Sequence, residues 1–151
     1  MKREYPESPL VGVGAVIMNK KSSGDEARVL LIRRGQPPLL GEWSLPGGVV
    51  ECGETLREAA AREAHEETGL VVEIKDMLGV YERVIPGDAG RVRYHYVLID
   101  FLCSRLSGDL RAASDAAEVG WFAIDELPAL NLAYDANDVV RKGFARIAQQ
   151  G

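Results

Sequence analysis

Glutamates are concentrated in one stretch of the chain, between Gly48 and Leu70, where they occupy six positions. The middle of this stretch predicts a helix, because its alanines favour helix formation and Thr55 is a suitable N-cap. Glu58, three residues later, completes a capping-box pattern, and Gly69 provides a C-terminal stop. The glutamates are therefore expected to project from the helix at fixed spacing.

One sector of this helix is expected to combine acidic and apolar residues, because a helix has 3.6 residues per turn. That sector holds Leu56, Ala59, Ala60, Glu63, Glu66 and Glu67, whereas Arg57, Glu58, Ala61, Arg62 and His65 fall on the opposite, wetter side. Like charges at these spacings repel by about 0.2–0.5 kcal/mol per pair when exposed, and burial adds to that cost. Inward carboxylates therefore require a positive partner.

A hard divalent cation, Mg²⁺ or Mn²⁺, is the simplest such partner, since both prefer oxygen ligands. The two cysteines, Cys52 and Cys103, have no spacing that suits zinc or a disulfide framework. The alternative is an acidic helix whose charges are merely solvated. The inward direction of the glutamates and the flanking glycines favour the metal site.

The same stretch carries a family resemblance. Gly48, Glu54 and the run from Arg62 to Leu70 fill every fixed position of the signature of the Nudix hydrolases, and the preceding residues 43–47 are similar to the family's usual approach to it. Nudix enzymes use water and divalent cations to cleave a nucleoside diphosphate linked to another group X. The resemblance implies an α/β/α sandwich with a mixed sheet, in which residues 1–151 form a single domain.

The resemblance also implies roles for particular residues. The metal ligands it implies are Glu63 and Glu67, with Glu66 close by, the Gly47 carbonyl as a further ligand, and Glu54 in a second metal site. Arg62 is expected to orient these glutamates through a bidentate pair, with a simple surface salt bridge as the alternative. The catalytic base is expected outside the helix, where Glu118 is preferred over Asp115 and Glu66 is next in line.

Five further residues are candidates for substrate binding. Arg33 and Arg34, at the end of a strand, are suited to contact phosphate, although strand-end solvation is the plainer interpretation. Tyr81, Tyr94 and Tyr96 are suited to stack on a nucleobase or ribose, although tyrosines on strands usually belong to the core. For each of the five, an ordinary structural role is the alternative.

The substrate itself is indicated by one residue. Pro86 follows Leu70 by 16 residues, an offset that resembles the ADP-ribose pyrophosphatase subgroup. Loops select proline in any case, so two alternatives stay open. One is a housecleaning enzyme that acts on oxidised nucleoside triphosphates, and the other is a non-hydrolytic sensor of nucleotide sugars.

Composition limits the partners of the chain. The net charge is −5 over 151 residues, and no basic stripe is present, which argues against a nucleic-acid-binding surface. No apolar run is long enough to span a membrane, and the small number of cysteines is typical of a cytoplasmic protein. A small nucleoside diphosphate derivative is the expected partner, and a homodimer is left open.

The elements that must position these residues can be predicted from the apolar pattern. Strands are expected at residues 10–18, 27–34, 47–51, 70–84, 91–103 and 118–122, with a bend near Gly79, and a final helix from about Asp135. Connections are expected at residues 19–25, 35–42, 85–90 and 104–114, the last polar and mobile, with a turn at 125–128. This order predicts a mixed sheet covered by helices.

Overall fold

A computed structural model describes residues 2–19, 26–37 and 39–150, and for Tyr134 and Gln150 it describes the backbone alone. Seven strands and two α-helices lie in these ranges: β1 Leu10–Asn19, β2 Arg28–Arg34, β3 Trp43–Ser44, β4 Gly47–Val49, α1 Leu56–Thr68, β5 Leu70–Pro86, β6 Val92–Gly108, β7 Ala116–Ala123 and α2 Tyr134–Gln150. Two 3₁₀ helices cover Asp88–Gly90 and Ile124–Ala129. The predicted elements are thus present.

The strands form one mixed sheet in the order β3-β2-β1-β6-β5, with β4 paired to β1 and β7 to β2. β1 and β6 run parallel, from the pair Leu10–Tyr96 to the pair Met18–Ser104. The other pairs are antiparallel. The predicted mid-sheet position of β6 and the mixed character of the sheet are therefore confirmed.

The two faces of the sheet are covered by different helices. Val13, Ala15 and Ile17 of β1 pack in one core cluster with the buried alanines of α1. Val16 and Met18, on the other face of the same strand, pack with Val139, Val140 and Phe144 of α2. Successive side chains of a strand point to opposite faces, so burial on both sides explains why β1 is apolar throughout.

β1 and β2 are paired only at one end, through Met18–Val29 and Asn19–Arg28. Beyond these pairs β1 turns to β4 as its partner, while β2 pairs with β3 and β7. The two strands therefore separate, and the sheet opens beside Gly47. This opening positions the candidate site.

Helix α1 begins and ends as the sequence predicts. Thr55 and Glu58 form a complete capping box, and Gly69 ends the helix at φ 79°, a left-handed conformation that favours glycine. Among the described residues, no helix is both long enough and apolar enough to cross a bilayer.

Two predicted connections are wrong in part. Residues 104–108 belong to β6, because they pair with Leu70–Glu73 at the start of β5. The strand β5 likewise continues through Ile85 and Pro86, which pair with Tyr94 and Val92. Cross-strand pairing overrides the polar composition in the first case and the proline in the second. In the predicted turn at 19–25, Asn19 belongs to β1 and the rest lies outside the described residues.

Candidate active site

A cavity of about 260 Å³ opens where β1 and β2 separate. One end is lined by the acidic side of α1, with Glu63, Glu66 and Glu67 facing the Gly47–Gly48 strand. The other end reaches a polar floor formed by β5, β6 and α2 and lined by Arg83, Asp100 and Asp135, while Arg34 of the lining lies close to Glu67. The cavity thus joins a carboxylate cluster to a second polar region of mixed charge.

Glu67 is the most deeply buried glutamate of the cluster, with 4% of its surface exposed. Its Oε1 accepts a hydrogen bond from the Gly47 amide at 3.2 Å, whereas its Oε2 is buried without a partner among the described residues. Burial raises the pKa of Glu67, and the hydrogen-bonded Glu63 carboxyl beside it raises that pKa further. A buried oxygen without a donor, next to a second carboxyl group, is where a cation is expected.

The two glycines of β4 allow the glutamates to lie directly against the strand. A Cβ on Gly48 would come within 2.5 Å of the Glu63 carboxylate, so a larger residue there would displace this carboxylate from the strand. Gly47 contacts Glu67 through its amide. The role predicted for the Gly47 carbonyl stays a prediction.

Arg62 organises the acidic residues around it. Its Nε and Nη2 donate to the two oxygens of Glu54 at 2.6 and 2.9 Å, which is the predicted bidentate pair. Its Nη1 donates to Glu63 at 2.8 Å and to Glu66 at 3.2 Å. Hydrogen bonds from Arg62 lower the pKa of Glu54 to about 2, and Glu54 in turn raises the pKa of Arg62. The expected wet position of Arg62 is wrong, because its side chain turns back over this cluster.

Arg62 also draws two predicted metal ligands away from Glu67. Glu54 does not line the cavity, and the Glu66 side chain is 46% exposed at the rim. In the described ranges, no three acidic, histidine or cysteine side chains are gathered as a ready-made metal cluster. Glu66 therefore lines the same cavity as Glu63 and Glu67 but lies at its exposed rim, whereas Ala64 is buried in the core.

The donors of this end nevertheless fit a hard divalent cation. Glu63 and Glu67 offer carboxylate oxygens, and the unpartnered Oε2 of Glu67 is satisfied when a cation binds. A bound divalent cation neutralises phosphate charge and lowers the pKa of bound water. Glu63 and Glu67 are the residues placed to hold it. Arg62 contacts Glu54, Glu63 and Glu66, so it connects the other two glutamates with Glu63.

The two candidates for the base have different positions. Asp115 lines the cavity, in a turn where Ser114 has a left-handed φ of 55°. Glu118 lies on β7, pairs with Arg33 at 2.5 Å, and does not line the cavity. Asp115 is therefore the better placed of the two candidates, and the identity of the base stays a prediction. The pairing of β7 with β2 is the reason for this difference in position, since it sets Glu118 opposite Arg33.

The segment before Asp115 is fixed to neighbouring elements by its backbone. The amides of Arg111 and Ala113 donate to the carbonyls of Thr68 and Glu67 at the end of α1. The Asp115 carbonyl accepts from the Gly35 amide at 2.9 Å. The expectation of a mobile loop is therefore replaced by a turn that α1 and β2 hold in place.

The predicted substrate contacts also divide into residues that line the cavity and residues that do not. Arg34 lines the cavity, and burial lowers the pKa of its guanidinium. Arg33 points to the other side of β2 and pairs with Glu118. Tyr81 is hydrogen-bonded to Asp138 and Lys142 on α2, away from the cavity. Tyr94 is buried and stacked on Tyr96, which lines the cavity in its place.

Three residues of the floor were missed by reasoning from the sequence: Arg83, Asp100 and Asp135. Asp135 accepts two hydrogen bonds from Arg83 at 2.6 and 2.9 Å, and both side chains are buried. The available signal was Asp100 itself, a carboxylate inside the apolar run of a central strand. A buried charge in such a run needs a partner or a function.

Asp100→Asn is expected to stabilise the fold at neutral pH. Burial and, to a smaller extent, the Asp135 carboxylate raise the pKa of Asp100 from its ordinary value of 3.8 to about 7, against the lowering effect of the Arg83 charge. The unfolded chain ionises first, so folding stability falls between about pH 4 and pH 7 and the penalty is constant above that window. Urea unfolding should therefore show a gain of a few kcal/mol for the variant at pH 8 and almost none at pH 4.

Asp109→Asn is the matched control, because Asp109 is exposed near the end of β6. Its free energy of unfolding should follow the wild-type pH profile within about 0.5 kcal/mol. Equal profiles for Asp100→Asn and the wild type would show that Asp100 ionises normally in the folded state.

A mixed-sheet α/β/α sandwich, with a glutamate-rich helix beside a cavity that also contains arginine, is the arrangement of enzymes that cleave phosphoanhydride bonds. The NUDIX domain profile matches residues 8–143. The chain belongs to the Nudix hydrolase family, whose members generally need divalent metal ions.

Three comparisons illustrate its place in that family. The ADP-ribose pyrophosphatase of Methanocaldococcus jannaschii is 38% identical over 133 residues, which cover 88% of this chain and 72% of the archaeal protein. The 8-oxo-dGDP phosphatase of Mus musculus is 35% identical over 140 residues, but this chain spans only 39% of its length. The crystal structure of a MutT NUDIX hydrolase from Burkholderia pseudomallei has a TM-score of 0.73 at 31% identity, and covers 90% of this chain and 98% of the other.

Proposed function

We propose that this Nudix hydrolase cleaves ADP-ribose or a closely related nucleoside diphosphate sugar, with Mg²⁺ or Mn²⁺ as its cofactor. Water adds across the P–O–P bridge, which breaks to give AMP and ribose 5-phosphate. The observation that carries the proposal is a single cavity with carboxylates at one end and a polar floor at the other. A substrate with a pyrophosphate between two uncharged groups suits such a cavity.

Different residues around the cavity are proposed to bind the cation, to contact phosphate and to act as the base. Glu63 and Glu67 are proposed to hold the cation against the pyrophosphate, and Arg62 keeps Glu63 turned toward it. Arg34 is placed close enough to Glu67 for its charge to act on that carboxylate. We propose that the Arg34 guanidinium contacts the phosphate that the cation leaves uncovered. Asp115 is proposed as the base.

Similarity in sequence supports ADP-ribose as the substrate. The archaeal relative bears that name and is matched over most of both chains. Pro86, the residue that indicates this subgroup, lies at the exposed end of β5 and does not line the cavity. Pro86 therefore supports the subgroup only as a marker and not as a contact.

An 8-oxo-dGDP-type nucleotide is the second candidate, because the mouse relative bears that activity in its name. A substrate panel separates the two. ADP-ribose, UDP-glucose, 8-oxo-dGDP, 8-oxo-dGTP and dGTP are incubated with the enzyme and either metal, and the products are separated by ion-exchange chromatography. We expect AMP and ribose 5-phosphate from ADP-ribose at the highest kcat/KM. Efficient hydrolysis of the guanine nucleotides with little from ADP-ribose would replace the proposal.

A further inference from the structure

Asp100 is a buried carboxyl group that the proposed reaction does not use. It lies in the middle of β6, is 5% exposed, and lines the same cavity as Glu67. Its neighbours in sequence, Ile99 and Phe101, pack against α1 on the other face of the sheet. The strand thus turns this one carboxyl group into the cavity.

The surrounding protein does not satisfy the Asp100 carboxyl group. None of the side-chain hydrogen bonds found within residues 2–19, 26–37 and 39–150 includes Asp100, and its oxygens are not among the fully enclosed atoms without a partner. The neighbouring Arg83 directs its Nη2 to both oxygens of Asp135 instead. Burial and the Asp135 carboxylate together raise the pKa of Asp100 to about 7, although the charge of Arg83 acts in the opposite direction. A buried group that costs stability and lacks a donor is suited to receive one from a ligand.

The Asp100 carboxylate lies directly against the backbone of Gly14, which has no side chain to displace it. Gly14 is its register partner on β1, and a Cβ on Gly14 would overlap the Asp100 Oδ1 atom. Gly14 is in turn the register partner of Gly47, whose amide contacts Glu67. Asp100 therefore lies two strands from Gly47, about 10 Å across the sheet. A substrate with its phosphates at Glu63 and Glu67 extends an uncharged group over this distance.

The charge of the floor indicates what that group is. Asp135 is paired with Arg83, whereas no salt bridge among the described residues includes Asp100, so a second phosphate at Asp100 would meet like charge. A hydroxyl or an N–H meets no such repulsion and supplies the missing donor. Sugar hydroxyls and nucleobase N–H groups share this chemistry, and both occur on the substrates of the proposed function.

We propose that Asp100 is a specificity-determining residue, which accepts a hydrogen bond from an uncharged donor on one of the two groups joined by the pyrophosphate. Arg83 and Asp135 act as positioning residues, because their ion pair holds the floor next to Asp100. The proposal rests on the proposed function for the position of the phosphates. It does not depend on which nucleotide is cleaved.

The test compares the wild type with Asp100→Leu on ADP-ribose and on three analogues that each lack donors. The inosine analogue lacks the amino group of the base, and the 2′,3′-dideoxyadenosine analogue lacks the hydroxyls of the ribose attached to adenine. ADP methyl ester lacks the ribose attached to the second phosphate. The wild type should lose about 10- to 100-fold in kcat/KM on one of the three, as for an unpaired buried acceptor. Asp100→Leu should lose that discrimination, raise KM for ADP-ribose by a similar factor and change kcat only slightly.

The ratio of parent to analogue separates binding from a structural role. A variant that only disturbs the fold lowers kcat/KM for all four compounds together and leaves the ratio unchanged. Asp100→Asn, which keeps an acceptor, should retain part of the discrimination, and Asp109→Asn should retain all of it. The proposal would be overturned if, for every analogue, Asp100→Leu had the same ratio of kcat/KM between ADP-ribose and the analogue as the wild type. If the substrate panel instead identifies a guanine nucleotide, the same ratios are measured with its deoxy and deamino analogues, so the two proposals fail separately.

Discussion

Glu67→Gln is expected to lower kcat by roughly 10³-fold while the protein stays folded. The substitution keeps the shape of the side chain and removes its charge, so the buried oxygen without a donor can no longer bind a cation strongly. Loss of several kcal/mol of transition-state stabilisation corresponds to that factor in rate. Initial rates on the preferred substrate, at saturating substrate and at several Mg²⁺ and Mn²⁺ concentrations, measure the effect.

The same substitution is expected to raise the free energy of unfolding when metal is removed with EDTA. Burial and the neighbouring Glu63 carboxyl both raise the pKa of Glu67, so its ionised form is disfavoured in the folded protein. Stability is therefore lost as pH rises from the ordinary glutamate range toward the raised value, and glutamine avoids this loss. The gain should be present at pH 7 and nearly absent at pH 4.

Added metal provides a readout that does not depend on turnover. A ligand that binds only the folded state stabilises it by about 2.7 kcal/mol at 100 times its Kd. Mg²⁺ or Mn²⁺ should therefore raise the unfolding midpoint of the wild type and leave that of Glu67→Gln unchanged. Glu73→Gln, which removes an exposed charge on β5, serves as the control for net charge. Full activity of Glu67→Gln at ordinary Mg²⁺ concentrations would contradict the assignment.

The sequence contains enough information to predict the helix and its carboxylates, because both depend on local spacing. Thr55 and Gly69 define the ends of α1, and the glutamate pattern brings Glu63 and Glu67 to the same site. Arg62 shows the limit of this reasoning. A helical wheel places its Cα on the wetter side, but its long side chain reaches Glu54 and the Val49 carbonyl across the loop before the helix. The direction of a long side chain depends on its partners rather than on helical phase.

Residues that come from separate strands were harder to place, because their positions depend on register. Arg33 and Arg34 are adjacent residues of the same type, so the sequence does not distinguish them. Because successive side chains of a strand point to opposite faces, Arg33 reaches Glu118 and Arg34 reaches the cavity. The floor is assembled from β5, β6 and α2, which bring Arg83, Asp100 and Asp135 together over long sequence separations. No local pattern contains that juxtaposition.

The proposal of Asp115 as the base depends on what each carboxylate already contacts. A base must accept a proton from the attacking water, and a carboxylate bound to a cation or to an arginine is a weak acceptor. Glu63 and Glu66 are paired with Arg62, and Glu118 is paired with Arg33. In the part of the chain that the structure describes, Asp115 forms no side-chain ion pair and lines the cavity, where it interacts only through charge with Arg34. Backbone hydrogen bonds hold its turn against α1 and β2.

Asp115→Asn is therefore expected to lower kcat by roughly 10²- to 10⁴-fold with little change in KM, as for the loss of a general base. The substitution removes the proton acceptor and keeps the size and hydrogen-bonding capacity of the side chain. Glu118→Gln is the matched control, since it removes an acid three residues away that faces Arg33 outside the cavity, and its kcat should stay within a few-fold of the wild type. Steady-state kinetics of the two single variants and of the double variant decide the matter. A large loss of kcat in Glu118→Gln alone would identify Glu118 as the base. Near-normal kcat in all three variants would assign the base to Glu66, the next carboxylate on the rim of the cavity.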